Sequence, residues 1–332
     1  MITRITSVLF CGALCFLLVA CHAAAAELRI GMIGLDTSHA TAFTELLNNP
    51  QAKNHVPGGK VVAAFKGGSP DLESSASRVE EYTRTLKEKY GVKIVDSIEE
   101  LCASVDVVML ESVDGRPHLA QARPVILAGK TLFIDKPIAG SLKDAIEICR
   151  LARTRKVPCF SSSSYRYYET MVELKKTDIG QIRGAISYGP CHLEPHHPDL
   201  FWYGVHTVEG LFTVLGKGCQ SVSRTTTADT DVVTGIWSDG RTGTFYGLRN
   251  VATPHKVVAF GTKAVAVQRE GGDDYAPLLV EVMKFFQTGV APVSLEETLE
   301  MFAFMEAADE SKRQGGSPVS LREIMQKNGG TL

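Results

Sequence analysis

Cysteine is present but not in a pattern that builds a disulfide framework. Of eight cysteines, Cys11, Cys15 and Cys21 fall near the start of the chain. The other five, Cys102, Cys149, Cys159, Cys191 and Cys219, are odd in number and lack short paired spacing. They are read as buried thiols, even though an exported chain could oxidise them. Beyond the first residues there is no apolar run long enough for a bilayer, so no transmembrane helix is expected. An excess of one charge is also missing. The 35 Lys and Arg against 37 Asp and Glu leave a net charge of −2 and no basic stripe, which argues against nucleic acid as a partner. No internal repeat or low-complexity tract occurs apart from Ser161–Ser164.

The start of the chain has the composition of an export leader. Arg4 precedes the apolar run Ser7–Ala20, which ends in the small residues Ala23–Ala26, the pattern of a secretory signal peptide. Two cleavage readings compete. A cut after Ala26 follows the Ala-x-Ala rule, whereas Leu18-Val19-Ala20-Cys21 resembles a bacterial lipobox that would lipidate Cys21. The simple cut is favoured because only a few residues separate Cys21 from the first strand at Leu28. With no twin arginine, the chain is expected to cross the membrane unfolded and to become a soluble periplasmic or extracellular protein. Intact-mass analysis of the exported chain should show a start near Glu27. A mass carrying acyl chains on Cys21 would overturn that expectation.

About 300 residues remain after residue 26, enough for two domains and a sizeable core. The stretch Leu28–Phe43, LRIGMIGLDTSHATAF, reads as a strand, a tight turn at Gly34 and an amphipathic helix starting at Ser38 or His39. Such a strand-to-helix turn opens a doubly wound nucleotide-binding sheet, whose helix start attracts phosphate. The glycine fingerprint is incomplete, however. With Gly34 as the first glycine of G-x-G-x-x-G, the second falls on Asp36 and the third on His39. Asp36 would repel a diphosphate unless it caps the helix and points away.

Strand-like runs at Val61–Phe65, Lys93–Val95, Val105–Glu111, Leu132–Asp135 and Pro158–Ser161 alternate with helical stretches at Asp71–Tyr90, Ile98–Ala103, Pro117–Ala128 and Leu142–Lys156. The βαβ order and nearly continuous apolar strands predict a parallel sheet covered on both faces. Ligand is then expected beyond the carboxyl ends of the strands, among Asp36–His39, Lys66–Ser69, Glu111–His118 and Asp135–Pro137. Lys66 stands where an NAD-preferring domain places a carboxylate. It reads either as a partner for a 2′-phosphate or as a solvated lysine in a flexible loop.

With Asp135-Lys136-Pro137 after the fifth strand, the chain resembles the Gfo/Idh/MocA oxidoreductases, whose usual signature there is Glu-Lys-Pro. A glycine turn, a strand ending ahead of Pro117-His118, the Lys-Pro step and a later Gly-x-His helix occur in the family's order. Leu35-Asp36-Thr37-Ser38-His39 and Phe201-Trp202-Tyr203-Gly204-Val205-His206, with the leader, look like an exported bacterial subgroup. The resemblance implies a Rossmann-like doubly wound parallel sheet over residues 27–160, then an α+β domain with an open antiparallel sheet over 161–332. That open sheet commonly mediates dimers or tetramers in the family, so a homo-oligomer is expected.

The same resemblance assigns residues. Contacts to NAD or NADP are expected from Gly34, Leu35, Asp36, Ser38, His39, Lys66, Glu111, His118, Asp135 and Lys136. Lys136 would orient a hydroxyl and stabilise the developing alkoxide, with Pro137, often cis in the family, fixing the backbone beside it. Gly204–Leu215 reads as a helix bearing His206, placed for proton transfer from a sugar hydroxyl. Glu209, three residues on, shares a face with it and is expected to orient it or to bind ligand beside it. Trp202 stands where the family has its first carboxylate. The loop Cys191–Asp199 concentrates His, Cys, Glu and Asp, yet its two prolines and the lack of a completing pair favour substrate contact, and no metal is assigned. Three functions follow: a sugar-, inositol- or polyol-directed oxidoreductase, a redox-assisted glycoside hydrolase with tightly held NAD, and a cofactor-free carbohydrate-binding or lyase-like protein. Export disfavours free cofactor exchange and so motivates the second.

Overall fold

The computed structural model describes residues 27–331, so the leader and both readings of its cleavage lie outside the described residues. The first half contains β1 (Leu28–Ile33), α1 (Ser38–Asn48), β2 (Gly59–Phe65), α2 (Glu73–Ala76), α3 (Val79–Tyr90) and β3 (Lys93–Val95). It continues through α4 (Ile98–Ser104), β4 (Val107–Leu110), α5 (His118–Leu127), β5 (Thr131–Asp135), α6 (Leu142–Arg155) and β6 (Cys159–Ser162). The six strands pair in parallel in the order β3-β2-β1-β4-β5-β6. That order reverses between β1 and β4, which opens a crevice at their carboxyl ends. Every residue of β4 and β6 is buried, as expected of strands covered on both faces. Ser97 and Ser141 cap α4 and α6 by accepting from the amides three residues on.

One helix was expected over Asp71–Tyr90, and two are found. The Ser74-Ser75-Ala76-Ser77 run offers hydroxyls that compete with helical bonding. Ser75 uses its hydroxyl in tertiary contacts instead: it donates to Asp36 at 2.6 Å and accepts from the Ser69 amide at 2.7 Å. α2 is thereby pinned against the crevice, and α3 starts afresh at Val79.

The second half holds α7 (Glu169–Lys176), β7 (Ile182–Pro190), α8 (Asp199–Trp202), α9 (Gly204–Leu215), β8 (Cys219–Thr226), β9 (Thr230–Trp237), β10 (Thr242–Leu248), β11 (Lys256–Gly261) and β12 (Val265–Val267). It ends with α10 (Ala276–Thr288), α11 (Leu295–Arg313), β13 (Val319–Ser320) and α12 (Leu321–Lys327). The seven strands order as β12-β11-β7-β10-β9-β8-β13. Every pairing is antiparallel except β7 with β10. The exception has a topological cause: the chain leaves β7 through α8 and α9, and the β8–β9–β10 meander then returns alongside it. β13, at two residues, is too short to show the alternation by which a strand is read from sequence.

The halves are packed into each other. α10, although late in the chain, places Leu278, Leu279, Val282, Phe285 and Phe286 among Ile30, Met32, Phe43, Phe133 and Phe160 of the first half. Each such side chain contributes about 1.5–3 kcal/mol on burial. The return of α10 brings Tyr275, at its start, to the crevice, where it meets His39 edge-on at 4.7 Å between ring centroids.

Candidate functional site

The turn after β1 accepts only glycine at its first position. Gly34 has φ +86°, and a Cβ there would lie 2.3 Å from the Ser112 amide nitrogen. The Leu35 amide donates to the Lys66 carbonyl at 2.8 Å, fastening the turn to the end of β2. Asp36 is fully buried and does not cap α1. Its carboxylate accepts from the Val113 amide at 3.0 Å and from Ser75 Oγ at 2.6 Å, so it ties the β4 turn to α2 and faces away from the helix start. Thr37 is the N-cap instead, accepting from the His39 amide at 3.4 Å.

Thr37, Ser38 and His39 form one wall of a cleft of about 450 Å³ between the two halves. Ser74, Arg78, Val113 and Lys136 complete the wall from the first half. The peptide between Lys136 and Pro137 is cis, as expected. Opposite stand Tyr165, Tyr168, Trp202, Tyr203, His206 and His255, with Tyr275 and His192 at the sides. This lining combines two cations, several imidazoles and broad aromatic faces, and no carboxylate takes part in it.

His206 Nδ1 pairs with Ser163 Oγ at 2.7 Å, which fixes the imidazole beside Lys136. Its ring lies 5.3 Å from those of Tyr203 and His255. His255 in turn pairs with Thr207 Oγ1 at 3.1 Å. Burial, and then the Lys136 ammonium, push His206 well below the ordinary histidine range; His255 and His39 add to the shift. The same two causes bring His255 down to about 4. Both imidazoles are therefore neutral at physiological pH.

Neutral His255 makes stability depend on pH. Its folded pKa lies below the free value of about 6.5, so its contribution is present above that pH and is lost as pH falls towards 4. Melting curves at pH 7 and pH 4.5 should show a larger drop for the wild type than for His255→Gln. Equal drops would mean that His255 titrates normally.

The sequence of residues 28–163 matches the profile described as oxidoreductase family, NAD-binding Rossmann fold. Those residues belong to the Gfo/Idh/MocA oxidoreductase family. Among individual relatives, a Salmonella typhimurium protein named as the oxidoreductase YceM is 26% identical over 148 residues, 45% of this chain and 42% of that protein. An uncharacterized oxidoreductase of Streptococcus pneumoniae is 26% identical over 135 residues, 38% of this chain and 35% of the relative. The chain thus aligns with less than half the length of these relatives. In three dimensions, the myo-inositol dehydrogenase from Lactobacillus casei, solved with NAD(H) and myo-inositol, superposes with a TM-score of 0.69 at 16% identity. The superposition covers 89% of this chain and 96% of that one. The scyllo-inositol dehydrogenase of the same organism gives 0.70 at 16% identity, covering 90% and 99%. The Gfo/Idh/MocA fold therefore extends over both halves of the molecule.

Some of the expected residues stand where they could hold a dinucleotide. The start of α1 opens on the cleft, and the Asp36 carboxylate, which would have opposed a diphosphate, is spent on Val113 and Ser75. Arg78 and Lys136 add positive charge along the same wall. NAD or NADP is consistent with this arrangement.

Other expected residues are placed elsewhere. Lys66 pairs with Glu80 of α3 and is not among the cleft residues. His118 is fully buried, its ring nitrogens against the Ser112 carbonyl at 2.9 Å and the Ile138 carbonyl at 3.3 Å. It braces two turns and faces no ligand. Glu209 neither bonds to His206 nor lines the cleft: it accepts from Ser162 Oγ at 2.8 Å and from Arg166 Nε at 2.6 Å. Arg166 also reaches Glu297, so the pair forms a buried tie between α9 and α11. The i,i+3 spacing brings the two side chains near one another, but burial leaves the carboxylate only the Arg166 side on which to be neutralised.

The loop from Cys191 to Asp199 meets both halves. His192 reaches the cleft, and His197 Nε2 lies 3.0 Å from Asp114 Oδ1 of the β4 turn. Although burial opposes ionisation, His197, Arg116 and Ser69 together hold Asp114 well below the usual carboxylate range. Sequence reasoning missed Arg78, Tyr168, His255 and Tyr275, whereas Ser163 belongs to the serine run read as a strand end with small side chains beside the cofactor. Tyr203, next to Gly204-Val205-His206, was quoted but given no role; the others lie far from any motif.

Proposed function

We propose that the protein is an exported NAD(P)-dependent oxidoreductase acting on a sugar, inositol or related polyol. The supporting observation is the convergence of Lys136, His206 and aromatic walls on one cleft at the carboxyl edge of the parallel sheet. Bound nicotinamide would supply the hydride acceptor. The chain's own groups do the rest. Tyr168, Tyr203 and Trp202 offer faces for the C–H side of a sugar ring, and with no carboxylate lining the cleft the hydroxyls are left to Lys136 and the imidazoles. The Lys136 ammonium holds the reacting hydroxyl and stabilises its developing negative charge. Neutral His206, with Nδ1 directed to Ser163, takes the hydroxyl proton at Nε2.

The inositol dehydrogenases that share this fold act on such polyols by name, which supports the same substrate class here. Denaturing the purified protein should release NAD(H) or NADP(H), and an absence of both would reject the reading. His206→Asn should lower kcat by about two to four orders of magnitude and remove one ionisation from the pH–rate profile. A lower melting temperature with the pH profile intact would make His206 a structural residue.

A further inference from the structure

We propose that His39, Glu111 and Asp135 form a binding site for one divalent transition-series cation at the switch point of the parallel sheet. These residues come from three places: His39 from the first turn of α1, Glu111 immediately after β4 and Asp135 from the end of β5. One potential ligand atom from each lies within 4.8 Å of the other two. Among the described residues this is the single group of three His, Cys, Asp or Glu side chains that meets in this way.

The second observation is the state of the oxygens. Glu111 is fully buried and neither of its carboxylate oxygens has a hydrogen-bond partner. Asp135 is almost as buried, and its Oδ1 also lacks a partner. No other buried carboxylate oxygen among the described residues is left in this way. Asp36, for comparison, is equally buried and has a donor on each oxygen. A fold that pairs its other buried acids leaves these three oxygens without a donor, and a cation between the three side chains would satisfy them.

Charge supports the same conclusion. Lys136 adjoins Asp135 in the chain and supplies one positive charge beside two buried carboxylates, and a cation held between them would supply the rest. Asp135 Oδ2 lies 2.8 Å from His39 Nδ1, so two of the ligands are already together. The His39 ring is further held by Phe43 stacked at 4.9 Å and Tyr275 edge-on at 4.7 Å. One imidazole nitrogen with two carboxylates suits Zn²⁺, Mn²⁺, Fe²⁺ or Co²⁺ rather than a soft monovalent ion or an all-oxygen Ca²⁺ cage. Three protein ligands leave a coordination position open, and His39 lines the cleft, so a water or substrate hydroxyl can fill it.

This inference does not rest on the oxidoreductase reading, since metal content is measured without turnover and bound NAD(P) is assayed separately. The full-length mature protein, purified without chelator, should carry about one equivalent of a single transition metal by plasma mass spectrometry. Protein stripped of metal should bind Co²⁺, giving visible d–d absorption and a raised melting temperature. Glu111→Gln and His39→Gln should abolish both signals while retaining the circular dichroism of the wild type. Should either variant fail to fold, the Co²⁺ titration of the wild type decides alone. Substoichiometric metal together with no Co²⁺ spectrum would overturn the proposal and assign the carboxylates a shared proton.

Discussion

Lys136→Ala should reduce kcat by about two to four orders of magnitude while fold and cofactor content persist. Lys136 is the cation on the cleft wall whose charge lowers both imidazoles. Its removal takes away the charge that orients the hydroxyl, and it also releases His206 and His255 from electrostatic suppression. Both imidazoles should therefore titrate at higher pH in the variant. The acidic limb of any remaining pH–rate profile should move in the same direction. An unchanged kcat would reject the assignment of Lys136, and a lowered kcat with an unmoved limb would separate its catalytic effect from its effect on the histidines.

The largest expected loss of stability lies outside the cleft. Arg224 has a fully buried guanidinium between three carboxylates. Nε and Nη2 donate to Asp231 Oδ1 at 3.0 and 2.8 Å, Nη2 also donates to Asp199 at 2.7 Å, and Nη1 pairs with Asp309. Arg249 gives Asp231 a second cation on its other oxygen, but Asp309 has no such alternative among its bonds. Arg224→Leu should therefore cost about 3–5 kcal/mol in urea unfolding at pH 8, the scale for removing one partner of a buried pair.

Burial raises Asp309 to about 7 even with Arg224 in place, which sets the pH dependence of the loss. A raised folded value contributes stability that is present below the unfolded carboxyl value and is lost as pH rises through 7. Without Arg224 that value rises further, so the variant's deficit should shrink when unfolding is repeated at pH 5. A deficit equal at the two pH values would mean that Asp309 carries none of it. Asp199 begins α8, the turn that brings Trp202 to the cleft, so the same network also supports the active face.

The sequence by itself determined the parallel sheet and its ligand-bearing edge. Continuous apolar strands alternating with amphipathic helices permit few other arrangements, and the Gly34 turn and Asp135-Lys136-Pro137 are local features that a linear reading can find. It also identified His206 by its place after Gly204. The tertiary structure decided which neighbours these residues have. Asp36 is harmless to a phosphate only because Ser75 and Val113, remote in sequence, occupy its oxygens. Glu209 leaves His206 because Arg166 lies on its other side, and His255 and Tyr275 reach the cleft only through the returns of β11 and α10. Local composition determines what a segment can form. The demand that each buried charge find a partner, from whatever part of the chain, determines where its side chains turn.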